Sequence, residues 1–194
     1  GGGAAAAEAD KKKAEQLKKL VENELTLIEA ARNSFLPMMK QHKYKDIVAT
    51  LTTQVAAYQT DEGKAAFKVL IDRYTRLQKM KTFVVAQLNA DPFRWGMDIP
   101  RVGSMDVIGA DETVVKIKDR SIPWTEISTA QMKKFLDHYL ASSKLTVKVL
   151  AEQNLAAAIF CFENGGLKAA AGYAEKAVEL APDLQDEVKR LLPL

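Results

Sequence analysis

Apolar residues recur along this chain at helical spacing in two blocks, separated by a stretch where that period fails. In the first block Leu17, Leu20, Val21, Leu25, Ile28, Ala31 and Phe35 keep the three- and four-residue steps that place side chains on one helix face. Pro37 should end or kink this helix, because it removes a donor and its ring clashes with the preceding turn. A second helix is expected from near Tyr44, carrying Ile47, Val48, Leu51 and Val55. After the turn "YQTDEG", Phe67, Leu70, Tyr74, Leu77, Val84 and Leu88 mark the longest stripe of the chain, interrupted only by Lys81. Thr60 is a good N-cap for that helix, and Asp61 and Glu62 complement its dipole. From Glu62 to Ala90 it would run about 43 Å at helical rise. A helical hairpin or short antiparallel bundle would bury such a seam.

The periodicity stops at "DPFRWGMDIPRVGSMDVIGADETVVKIKDRSIPWTEIS", which holds Pro92, Gly96, Pro100, Gly103, Gly109 and Pro123. Thr113, Val115 and Ile117 alternate there with Val114, Lys116 and Lys118, the two-residue period of a strand. "GADET" reads as the turn before them, and Val107 and Ile108 as the end of the preceding strand. The expectation is a small inserted β-hairpin or three-stranded segment that must lean on the helices, since a two-stranded ribbon is marginal alone. Trp124 should then be largely buried.

Helical spacing resumes at Ser128, where Ser128 and Gln131 fit a capping box and Ile127 with Met132 a hydrophobic staple. Met132, Phe135, Leu136, Tyr139 and Leu140 line the helix that follows. Further helices are expected from about Leu145 to Glu163 and from Leu167 to Leu180, with a short one after Pro182. The organisation is therefore a flexible tether (1–13), an N-terminal helical bundle (14–92), a β-containing insertion (93–127) and a C-terminal helical region (128–194). The fold class is mainly α.

From Asn154 to Pro182, within 151–184, the chain resembles a tetratricopeptide-type repeat, whose period is about 34 residues. Ala158 fits the small position of the repeat's first helix, Ala170 and Ala177 those of its second, Gly165 its turn and Pro182 its terminal proline. Asn154, Cys161 and Ala174 stand where the family carries large or aromatic residues. The resemblance implies two helices in close approach and a surface that binds protein or peptide. It also implies that the side of the first helix bearing Glu152, Leu155, Ile159 and Phe162 lines a groove facing the ligand. Such repeats occur near one end of larger bacterial proteins, and the Ala/Lys-rich start suits a spacer.

Composition narrows the chemistry. The chain has 194 residues and a net charge of +3 from 28 basic and 25 acidic side chains, too even a balance for a committed phosphate binder. The most basic span, Lys40 to Lys81, holds nine Lys/Arg against Asp46, Asp61, Glu62 and Asp72, and reads as a solvated face. A single cysteine, Cys161, excludes an internal disulfide and a thiolate-rich metal site, and its place in "AAAIFCFE" suggests a small buried hydrophobe. His42 and His138 belong to no metal-binding spacing and read as surface or half-buried structural residues. The glycines form no phosphate loop, and no apolar run approaches the roughly 20 residues of a membrane span. The first residue is Gly1 rather than methionine, which suits a fragment or processed product, and either a cytoplasmic or an exported setting.

The expectation is a non-enzymatic protein-interaction or scaffolding module, with a protein or peptide partner and no metal, cofactor or membrane span. Its candidate partner-binding residues are Phe93, Arg94, Trp95 and Arg101 in a loop, and Glu152, Ile159 and Phe162 on the repeat's first helix. The alternative is binding of nucleic acid or another polyanion through the 40–81 span and the aromatic loop 93–101.

Overall fold

The computed structural model describes residues 2–99, 103–142 and 144–194, without the side chains of residues 2–5, Trp95 and Ile99. The protein is mainly α with a small antiparallel sheet. Its helices are α1 (Gly2–Ser34), α2 (Leu36–Lys40), α3 (Tyr44–Gln54), α4 (Asp61–Ala90), α5 (Thr129–Leu140), α6 (Val147–Glu163), α7 (Leu167–Leu180) and α8 (Gln185–Leu191). Four strands, β1 (Phe93–Ile99), β2 (Gly103–Ala110), β3 (Val114–Ile117) and β4 (Arg120–Pro123), form a meander in sequence order between α4 and α5.

Helix α4 is the hub, packing against α1, α3, α5, α6, α8 and β2. Its stripe of Phe67, Leu70, Tyr74, Leu77, Val84 and Leu88 is buried throughout. The Thr60 hydroxyl accepts from the Gly63 N–H at 2.9 Å, giving the N-cap its expected bond. The start of α1 differs from expectation. The tract assigned to a tether is helical, since α1 runs unbroken from Gly2 and ends only where Pro37 opens α2. Low core content fits a tether and a solvated helix equally, and the alanine and lysine propensity favours the helix. α3 and α4 form the expected antiparallel hairpin, with His42 against Lys81 at one end and Tyr58 against Phe67 at the other, and α1 packs beside α4. Glu24 meets Thr60 and Phe35 meets Tyr74, so the two helices run the same way, with α3 between them in the chain.

Polar groups fix α1 in place. The buried Glu24 carboxylate accepts from the backbone N–H of Gln59 at 2.6 Å and of Thr60 at 3.2 Å, and from the Thr60 hydroxyl. It thereby sits at the positive end of α4, where donors otherwise lack partners. Gly63 makes room for it: a Cβ there would fall 2.0 Å from Glu24 Oε2. Further along α1 and α4, Arg32 and Arg73 pair with the inaccessible Glu163 side chain of α6 at 3.0 and 3.1 Å. Arg73 Nε also donates to the Leu191 carbonyl at 2.7 Å, so α1, α4, α6 and α8 meet at one charge cluster.

The sheet has four strands where two or three were expected. Arg120–Pro123 pairs with Val114–Ile117 although it carries a proline and little alternation. Phe93 and Arg94 lie on β1, not in a loop. Gly96 takes φ +66° at an irregularity in the β1–β2 register, where a Cβ would fall 2.2 Å from Ser104 Oγ. The sheet docks through β2 on α4 and β1 on α5. Asn89 joins the two layers by exchanging bonds with Ala110, donating to its carbonyl at 2.9 Å and accepting from its N–H at 3.0 Å. Trp124 is buried as expected, with its indole N–H donating to the Asp111 carbonyl at 2.7 Å.

In the C-terminal region the capping box of Ser128 and Gln131 is fully formed. Ala170, Ala174 and Ala177 of α7 are buried against α6, and Ala151, Ala156, Ala157 and Ala158 of α6 are buried as well. Each methyl covers apolar area while letting backbones approach, and a larger side chain at 170 or 177 would force the pair apart.

Candidate functional site

Four regions compete as functional surfaces. The first is the side of α6 bearing Glu152, Leu155, Ile159 and Phe162. It is filled around Leu155, Ile159 and Phe162, while Glu152 borders a 620 Å³ cleft with Lys68, Arg76, Lys79 and Arg190. Ile159 and Leu155 have no exposed surface, Glu152 is bound by Arg76 of α4 at 2.5 Å, and the Phe162 ring lies under the guanidinium groups of Arg73 and Arg32. The covering elements are α4 and α1, rather than the helix of Phe135 and Tyr139. Ile159 therefore belongs to the core, and Glu152 and Phe162 serve contacts within the chain.

The second is the segment after α4. Phe93 is buried, edge-on to Phe135 at 5.3 Å and to His138 at 5.2 Å, so it is a core residue and not an anchor for a partner. Arg94 is exposed on β1. The Trp95 side chain and the whole of Arg101 lie outside the described residues.

The third was missed in the sequence. Lys81 interrupts the α4 stripe, yet it is buried with the rest. Its ammonium donates to the Glu112 carbonyl at 2.8 Å and the His42 carbonyl at 3.3 Å, and stands 5.4 Å from the Trp124 ring centre. Burial pulls its pKa below the ordinary lysine value, opposed by the nearby Glu112 carboxylate. His42, read as a surface or half-buried residue, is buried in a left-handed conformation at φ 57°. Its Nε2 lies 2.7 Å from the Ile127 carbonyl and its Nδ1 2.9 Å from the Tyr44 hydroxyl, while the ring stacks on Phe160. Burial lowers its pKa to about 4. These groups bind the α2–α3 turn to the sheet. A 340 Å³ cleft opens beside them, with Lys43, Lys45, Asp46 and Thr125 on its rim.

The fourth is a groove on the outer face of α7 and α8, of 570 Å³. Ala171, Ala174 and Val178 of α7 form one wall, and Pro182, Val188 and Leu194 continue the apolar lining. Glu175, Glu179, Gln185 and Lys189 stand at its edges. Among the described residues nothing fills it. Ala170 and Ala177 pack on α6, Ala171 faces the groove, and the buried Ala174 lies between the two faces.

Other titratable groups are held in internal contacts. Burial pushes the Cys161 thiol up to about 11, as suits a small core residue. Among the described residues no group of three or more His, Cys, Asp or Glu is placed to hold a metal, and no helix is long and apolar enough to cross a membrane. Of the basic 40–81 span, Arg73, Arg76 and Lys81 are engaged within the chain. Compared with family models, curated proteins and solved structures, the chain gives no match in any of the three.

Proposed function

We propose that this chain is a non-enzymatic protein-interaction module that takes a helix or peptide on the outer face of α7 and α8. The observation that carries the reading is the open, alanine-walled groove of Ala171, Ala174 and Val178 continued by Val188 and Leu194. Small side chains let a partner backbone come close, and the charged edges supply register. The tetratricopeptide-like pairing of α6 and α7 supports it, because such pairs present one face inward and one outward. Cys161 is buried in α6, and His42 and Lys81, though they border the 340 Å³ cleft, are engaged by the Ile127, His42 and Glu112 carbonyls, which suits a structural role.

The test is capture of partners by the purified chain and by its Val178→Asp variant in parallel. A partner retained by the native chain and lost by the variant supports the groove. A partner held equally by both places binding elsewhere. Binding to heparin with a steep salt dependence, unaffected by Val178→Asp, would favour polyanion recognition through Lys40, Lys43 and Lys45 instead.

A further inference from the structure

We infer that the occupant of the α7–α8 groove is the N-terminal part of α1 from a second copy of this chain. The inference rests on the groove being a protein-binding surface, and names its partner.

Helix α1 extends beyond the body it is anchored to. It runs parallel to α4, and Glu24 sits at the N-cap of α4, so the residues before Glu24 pass the point where α4 begins. Residues 6–19 are exposed at every position. At helical rise these form an arm of about 21 Å. The arm is not polar all round. Half-buried Leu20 and Val21 continue the face that carries Glu24 and Ile28 into the protein, and Leu17, 55% exposed, and Ala14 extend it into the arm, where Asp10 and Lys13 share that face. An apolar stripe continuous with a packed interface, and then uncovered, calls for a partner surface.

The arm cannot supply its own chain's groove. α1 is unbroken from Gly2 to Ser34 and is held at Glu24, Ile28 and Arg32, so its direction is fixed and the arm cannot turn back over α7. A second copy can receive it. Chemistry matches on both sides: Leu17 and its neighbours meet the Ala171–Ala174–Val178 wall, whose small side chains admit a helix closely. Charge matches as well. Lys11 and Lys18, two turns apart, run along one edge of the apolar stripe, and Glu175 and Glu179 run along one edge of the groove, with Lys189 at another edge. On association Lys18 and Glu179 exchange their exposed partners, Glu22 and Lys176, for the interface.

The experiment is sedimentation velocity of the full chain over a wide concentration range. The expected result is reversible self-association that is lost in Leu17→Asp and in Val178→Asp, each checked by circular dichroism for an unchanged fold. Lys11→Glu with Lys18→Glu should weaken association by about tenfold, and adding Glu175→Lys with Glu179→Lys to the same chain should restore it. A monomer at all concentrations overturns the inference. So does association that Val178→Asp leaves intact, or a charge-reversed chain that the second reversal fails to restore. A monomeric chain whose captured partner is still lost on Val178→Asp keeps the groove as a binding surface and removes only the second copy as its occupant.

Discussion

Helices α6 and α1 are both long, yet they meet solvent in opposite ways. α6 is buried on nearly every side, from Ala151 through the run Asn154–Cys161 to Glu163, while residues 6–19 of α1 are exposed at every position. Alanine is abundant in both. In α6 it is the means of close packing between α4, α5 and α7, and in the arm of α1 it supplies propensity alone. The comparison teaches that alanine content does not decide burial. What decides it is whether large apolar residues accompany the alanines, as Leu155, Ile159 and Phe160 do in α6. A second difference concerns anchoring. α6 is held by packing, whereas α1 depends on Glu24, Arg32 and a short apolar stretch ending at Phe35.

The largest effect should come from the charge cluster where the two helices meet. Glu163→Ala leaves the guanidinium groups of Arg32 and Arg73 without their shared carboxylate, and should cost about 3–5 kcal/mol in urea unfolding. A loss below about 1 kcal/mol would show that apolar contacts and Glu24 hold α1 without help from this cluster.

Acid should act next, through His42. Its pKa falls from 6.5 to about 4 on folding, so the unfolded chain takes up the proton first. The stability contributed by neutral His42 is fully present above 6.5 and declines as pH drops toward 4, by on the order of 3 kcal/mol. Glu24, whose pKa is lowered by the N–H of Gln59 and the hydroxyl of Thr60, adds a separate loss below its ordinary value of 4.5. Chemical unfolding at a series of pH values checks this order. A chain of unchanged stability between pH 6.5 and 4 would contradict the burial of His42.

The α6–α7 contact is tested by Ala170→Leu, which should lower stability by about 1–3 kcal/mol through overpacking, read as a shifted melting midpoint. An unchanged midpoint would mean that this face of α7 is not packed on α6. The smallest effect is expected at Tyr74, whose buried hydroxyl has no hydrogen-bond partner among the described residues. Tyr74→Phe should be neutral or stabilise by up to about 1 kcal/mol, and a clear loss would reveal a partner for that oxygen.

Much of the fold was legible in sequence because helix signals are local. The α4 stripe, the Thr60 cap, the capping box at Ser128 and the hairpin turn at Asn164 to Gly166 each depend on neighbours a few residues apart. The fourth strand was not legible, since Arg120–Pro123 is set by pairing with β3 and lacks alternation of its own. Phe93 was read as part of a loop because prolines and glycines crowd its segment, while its burial depends on Phe135, far along the chain. Lys81 looked like an interruption because its acceptors, the carbonyls of His42 and Glu112, lie 39 and 31 residues away. The open groove left a faint signal in Ala171, Ala174 and Val178, a second small-residue stripe beside the inward one of Ala170 and Ala177.

The central claim is that the arm of α1 and the outer face of α7 and α8 form one interface between copies. Amide hydrogen exchange of the full chain, measured dilute and concentrated, tests it most directly. Residues 6–19 should exchange fast when dilute, because they are exposed at every position, and should gain protection together with the α7–α8 segment when concentrated. Protection of the arm with no change between Leu167 and Leu194, or no concentration dependence in either region, would contradict the account.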